Sequence, residues 1–176
     1  MLRQAQHDRL FTVRLLVRDY LIRYPDMHGS ILTLPKRYVQ TQYDHSTWLK
    51  LTELAGLSAG ELHEKFGEYL VPDLMYLYQK LLDPNWKTLD MLEHTELTMH
   101  KQVRSENAEN SPPVLEVSRL GPDELMIDYV SPRRMGGLAV GIARGLAAYY
   151  DEADRIDVMP ATSEDGERVR IHVRRR

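Results

Sequence analysis

Three groups of residues carry types and spacings that could do chemistry. The first centres on a histidine. Over residues 86–104, Leu89, Leu92, Leu97, Met99 and Val103 share one face at about 100° per residue, and His100 falls near the middle of that stripe. His94 falls on the far side and is expected in solvent. A neutral imidazole in an apolar wall is either a core residue bonded to a backbone carbonyl or a metal ligand. Glu93 and Glu96 lie on the same inner side, so the face is not purely apolar, and no partner for either is legible. The second group is Tyr129-Val130-Ser131-Pro132-Arg133. In extended chain, positions i, i+2 and i+4 point the same way, which lines a phenol, a hydroxyl and a guanidinium along one strip. Such a strip suits an anion, a carboxylate above all, because Arg grips it through two parallel hydrogen bonds. The alternative is a polar strand end in water. The third group is Gly137, Gly141 and Gly145, one every four residues, with Ala148 close by. Each glycine inside a helix costs about 1 kcal/mol relative to alanine. Something must therefore come close to that face: another backbone, a planar ligand or, the favoured expectation, a sheet.

The elements that must position these groups follow from periodicity and punctuation. Leu10, Val13, Val17, Tyr20 and Leu21 predict an amphipathic helix over 5–24, ended by Tyr24-Pro25-Asp26. Met27 to Ala55 reads as short helices over 29–42 and 44–55, with Gly56 as a stop. Ser58 and Glu61 form a capping-box signature for a helix running to about Leu70, and Pro72 starts another over 72–82. Asp83-Pro84-Asn85 breaks the chain before the long helix 86–104. Ser105–Ser111 is polar and Pro112-Pro113 is stiff, so a loop is expected there. Val114–Leu120 and Leu125–Val130 then read as a hairpin turned by Gly121-Pro122-Asp123-Glu124. A helix over 134–151 and a second strand pair, Arg155–Met159 and Arg168–Val173, complete the chain.

Composition bounds the function. Of 176 residues, 43% are hydrophobic and 28% charged, which are globular values. No apolar run approaches the roughly 18–20 residues of a membrane span. The absence of Cys excludes disulfides, Cys-ligated zinc or iron–sulfur sites and thiol catalysis, but seven His remain as potential ligands. The net charge of −3 is uneven: residues 1–24 carry +3, residues 168–176 carry +5, and the remainder −11. Basic ends invite a nucleic-acid reading, but the acidic body repels phosphate and no recognition motif accompanies the arginines, so no nucleic-acid partner is expected. Asp8, Asp19 and the scarcity of Ser argue against a transit peptide, and without a secretory apolar segment the expected location is the cytoplasm. No nucleophile elbow or P-loop is present.

Together, an imidazole in an apolar wall, a carboxylate clamp about thirty residues later and a slim helix resemble a heme pocket, with axial ligand, propionate anchors and room for a flat macrocycle. The chain resembles the heme-nitric oxide/oxygen-binding (H-NOX) domains of bacterial gas sensors and soluble guanylate cyclase. The family's Tyr-x-Ser-x-Arg motif stands here as Tyr129, Ser131 and Arg133, 29 residues after His100. Pro112-Pro113 matches the proline that bends the porphyrin, and Glu96-Leu97-Thr98-Met99-His100 the proximal helix. Leu57-Ser58-Ala59-Gly60-Glu61-Leu62 and Phe66-Gly67-Glu68-Tyr69 match the helical core. Met27-His28-Gly29-Ser30-Ile31-Leu32 is similar to the family's start, so the resemblance spans about 27–176.

The resemblance implies an α+β fold, with an N-terminal helical subdomain and a C-terminal four-stranded antiparallel sheet carrying packed helices. It implies heme b with ferrous iron held by His100, propionates held by Tyr129, Ser131 and Arg133, and Pro113 pressing on the macrocycle. The distal wall would be Ile31, Pro35, Leu70, Leu74, Leu138 and Ile142. Oxygen-binding members carry a Tyr where Leu138 stands. Without that donor the partial negative charge of O₂ has no partner, so NO selectivity is expected, with CO also accepted. In such members NO breaks the iron–histidine bond and frees the proximal helix. The expected role is a non-enzymatic gas sensor signalling to a separate histidine kinase or cyclic-dinucleotide enzyme such as a diguanylate cyclase.

Two departures stand out. The family's extra helical stretch after the position of Gly56 is nearly absent, which shortens the distal part. Residues 1–26 precede the family's start as an extension, and helix 5–24 is expected to occupy the vacated place. Pro35 would lie inside the first distal helix, kinking it or shifting its start. The shortened distal part keeps open an H-NOX-like adapter that is heme-free, or binds another tetrapyrrole, and acts by protein interaction. A heme enzyme acting on NO or peroxide is a further reading, disfavoured by the lack of a polar distal group.

Overall fold

The computed structural model describes residues 57–106 and 112–176. The helices expected over 5–24, 29–42 and 44–55, the boundary at 26, and the distal candidates Ile31 and Pro35 lie outside the described residues.

Helix α1, Ala59–Tyr78, begins directly after Ser58 and runs through Pro72 without a break. Two helices meeting at Pro72 were expected, because proline removes one intrahelical hydrogen bond and crowds the preceding turn. Burial on both sides decides otherwise: Leu62, Gly67, Leu70, Val71, Met75 and Tyr78 form one continuous inward stripe, and Pro72 faces solvent. A 3₁₀ turn, Gln79–Leu81, follows. The long helix expected over 86–104 is instead a run of three pieces: α2, Thr88–His94; a π-helical stretch, Glu96–His100; and α3, Lys101–Glu106.

The second half follows its punctuation closely. Strands β1, Val114–Gly121, and β2, Glu124–Val130, flank Pro122-Asp123; helix α4, Gly136–Tyr149, leads to β3, Ile156–Pro160, and β4, Arg168–Arg175. The four strands form one antiparallel sheet in the order β1-β2-β4-β3. Tyr129 lies opposite Leu115 on one side and Val169 on the other. Leu125, Ile127, Tyr129, Val169, Ile171, Val173, Ile156 and Val158 are buried on one face, against which α2 and α4 pack. The fold is α+β.

The glycine stripe does not lie on the sheet. A Cβ added to Gly137 would meet the Gly60 carbonyl at 2.9 Å, and one on Gly145 would meet Glu68 Cα at 3.0 Å, so the stripe lies on the α1 backbone. Gly136 is the glycine that faces the sheet, with Val169 Cγ2 2.5 Å from a built Cβ. The expectation fails because a four-residue repeat marks a close face without saying what lies opposite.

Arginines of β4 and the residue after it pair with acids: Arg170 with Asp128 at 3.2 Å, Arg175 with Asp123 at 3.3 Å and Arg176 with Asp157 at 3.1 Å. Among the described residues no helix is long and apolar enough to cross a membrane.

Candidate functional site

His100 sits on the widened turn. Its amide donates to the Thr95 carbonyl, five residues back, at 3.1 Å. The sequence explains where the helix loosens: the hydroxyls of Thr95 and Thr98 each donate to the carbonyl four residues back, Met91 and His94, at 2.7 Å. Such back-bonding competes with the backbone ladder and bends helices. The extra residue in the turn changes the phase of the stripe. Met99 is buried, but Leu97, expected inside, is 72% exposed. His94, expected in solvent, is half-buried, stacked on Trp86 at 4.6 Å, with Nδ1 2.8 Å from the Asp90 carbonyl.

The two inward carboxylates have partners. Glu93 accepts from Arg119 Nε at 2.9 Å, strapping α2 to β1. Glu96 Oε2 lies 2.9 Å from His100 Nδ1 and accepts from the Leu115 amide at 3.0 Å, while Oε1 pairs with Arg104. Burial pushes the Glu96 carboxyl up, but bonds from His100, the Leu115 amide and Arg104 outweigh it and hold the group below the ordinary carboxylate value. Burial is also the largest influence on His100 and pushes it below the ordinary imidazole value. Glu96 and the Pro113 carbonyl oppose that shift only in part. The shift favours the neutral ring, the form in which an imidazole can ligate a metal.

Tyr129 and Ser131 are 4% and 3% exposed, so this strand end is not in water. Extended chain stops at Val130, and Arg133 lies in the turn that follows rather than on a straight strip. Ser131 Oγ accepts from the Arg133 amide at 3.2 Å, and the Ser131 amide donates to the Glu167 carbonyl at 2.8 Å. The turn closes through Arg134 at φ 54°, a left-handed conformation costly for a side chain larger than glycine. Pro113 immediately precedes β1, whose second residue, Leu115, bonds to Glu96 and lies opposite Tyr129. The histidine turn, the proline and the motif strand are thus tied together within one ladder rung.

Of the distal candidates, Leu70 is buried and Leu74 half-buried on α1, and Leu138 and Ile142 are half-buried on α4. Gly67 lies against α4: its built Cβ would lie 2.4 Å from the Leu138 carbonyl and 2.7 Å from the Ile142 amide.

Sequence reasoning missed two residues. Glu96 was noticed without its role, although its four-residue spacing from His100 was the available signal. Glu152, 5% exposed, accepts from the amide and hydroxyl of Thr88 at 3.0 and 2.6 Å and fastens the start of α2. A partner 64 residues away leaves no local pattern.

The described residues form an α+β domain in which the carboxylate-backed imidazole of His100 is linked through Leu115 to the strand carrying the phenol–hydroxyl–guanidinium motif, a set of groups that suits a cofactor held by one histidine. The family model described as Haem-NO-binding matches residues 36–158. Solved structures agree in fold. An Fe(II) unliganded H-NOX protein from K. algicida is 19% identical with a TM-score of 0.63, covering 73% of this chain and 69% of its own. The H-NOX protein from S. oneidensis in the Fe(II)NO ligation state is 15% identical with a TM-score of 0.67, covering 96% and 98%. The Shewanella oneidensis SO2144 H-NOX domain in the Fe(II)CO state gives 15%, 0.65, 96% and 97%. No curated protein matches. The chain belongs to the haem-NO-binding (H-NOX) family of heme-based gas-sensor domains.

The residues present fit the family's cofactor. Among the described residues no three His, Asp or Glu side chains gather as a metal cage, and a group whose macrocycle supplies the other donors needs only one imidazole from the protein. Buried hydroxyls on Tyr129 and Ser131, followed by Arg133, are suitable partners for the acidic arms of such a group.

Proposed function

We propose that this chain is an NO-selective heme sensor module of the cytoplasm, without catalytic activity of its own. The observation that carries the reading is the mostly buried imidazole of His100 with Nδ1 2.9 Å from Glu96 Oε2, an arrangement in which Nε2 would donate to iron. Tyr129, Ser131 and Arg133 would hold the propionates of heme b, and Pro113 would press on the macrocycle. Bound ferrous iron supplies the coordination position that takes up a diatomic gas. Of the expected distal residues, Leu70, Leu74, Leu138 and Ile142, and by residue type Ile31 and Pro35, none carries a side-chain hydrogen-bond donor. O₂, which needs a partner for its partial negative charge, is therefore disfavoured relative to NO and CO. The chain would report its state to a separate output protein, a histidine kinase or a cyclic-dinucleotide enzyme.

Absorption spectra of the heme-reconstituted chain under NO, CO and O₂ test this. NO and CO are expected to shift the Soret band and air is not, and His100→Ala is expected to lose the native ferrous spectrum. A chain that stays colourless after heme supplementation would favour the heme-free adapter, and steady peroxide turnover would favour an enzyme.

A further inference from the structure

We propose that Glu96 is a positioning residue for the iron ligand: its carboxylate holds the proton of His100 on Nδ1, presents Nε2 to the metal and strengthens its electron donation. This rests on the heme reading above. A carboxylate accepting from the outer nitrogen of a ligating histidine fixes the tautomer, orients the ring and raises ligand basicity. Here Glu96 Oε2 lies 2.9 Å from Nδ1, and a charged acceptor holds a proton more strongly than a neutral carbonyl does.

What separates this contact from an ordinary helical pair is how firmly the carboxylate is held. Oε2 also takes the Leu115 amide at 3.0 Å, and Oε1 takes Arg104. These donors come from β1 and α3, so the acceptor position is set by three elements rather than by a free rotamer. The π-helical stretch Glu96–His100 begins at the carboxylate and ends at the imidazole. Because Leu115 is the ladder partner of Tyr129, the same carboxylate links the ligand to the motif strand.

The test uses the full chain with Glu96→Gln, which keeps an acceptor oxygen without charge, and Glu96→Ala, which removes both. Circular dichroism checks folding. In the heme-free protein, ¹⁵N NMR of the His100 ring is expected to show the Nδ1–H tautomer for Glu96 and a tautomer mixture for Glu96→Ala. In the ferrous heme-loaded protein, resonance Raman is expected to show the iron–histidine stretch falling in the order Glu96, Glu96→Gln, Glu96→Ala. Heme release is expected to rise about tenfold in Glu96→Ala. An unchanged stretch and tautomer in both variants would overturn the proposal, even if stability fell. Should His100→Ala abolish the iron–histidine stretch while both Glu96 variants leave it unmoved, the heme reading stands and this inference alone fails. A chain that takes up no heme overturns both.

Discussion

A methyl group built on Gly141 would fall 1.9 Å from the carbonyl oxygen of Glu64, so α4 and α1 touch backbone to backbone. A side-chain end could swing away from such a clash, but a helical carbonyl cannot. Replacing a helical glycine by alanine normally gains about 1 kcal/mol. Here overpacking outweighs it, and Gly141→Ala is expected to destabilise the fold by about 3 kcal/mol. Gly121, whose built Cβ meets nothing within 4 Å, supplies the control. Gly121→Ala is expected to stay within about 0.5 kcal/mol of the parent in urea unfolding.

Glu152 makes stability depend on acid. Burial pushes its carboxyl up, but the Thr88 hydroxyl and amide, with Arg175 and Arg155, hold it below the ordinary value. A carboxyl depressed in the folded state contributes stability above its unfolded pKa and loses it as pH falls through the folded one. Glu152→Gln is therefore expected to cost about 2 kcal/mol near neutrality, with the gap to the parent closing in acid. Urea midpoints across the acid range measure it.

Glu164 works in the opposite sense. Burial first, then the neighbouring Glu64 carboxylate, raise its pKa, while Arg144 offsets this only partly. Arg144 is itself paired to Glu64. A raised carboxyl contributes stability below its unfolded pKa and loses it as pH rises through the folded value. Glu164→Gln, neutral at every pH, is expected to be more stable than the parent near neutrality and to match it in acid. Thermal midpoints at the two ends of that range would reveal the crossover.

Leu138 is half-buried on α4 and offers no hydrogen-bond donor. On the proposed function, Leu138→Tyr supplies one to a bound gas. A new buried hydrogen bond is worth about 1.4 kcal/mol, so O₂ affinity is expected to rise about tenfold, read as a Soret shift at lower oxygen pressure than the parent needs, with NO binding little changed.

The second half of the fold was legible because its punctuation is local. Gly121-Pro122-Asp123 forces a hairpin, and alternation in β2 and β4 sets which residues face inward. The helical half was less so. Pro72 reads as a boundary until one sees Leu70, Val71 and Met75 buried together, and the stripe over 86–104 loses its phase where Thr95 and Thr98 divert carbonyls. Tyr129, Ser131 and Arg133 were visible by motif, yet the turn that takes Arg133 off the strand was not.

Residue order alone determined the two strand pairs, the helix between them and the spacing that sets His100, Pro113 and Tyr129 apart. Those are consequences of short-range sterics and of hydrophobic period, which act over a few neighbours. Only the tertiary structure decided that the glycine stripe meets α1, that Glu96 meets the imidazole Nδ1 and the Leu115 amide together, and that Glu152 fastens a helix 64 residues upstream. Such partnerships depend on which buried polar groups must satisfy one another once distant segments pack, and no local pattern encodes that choice.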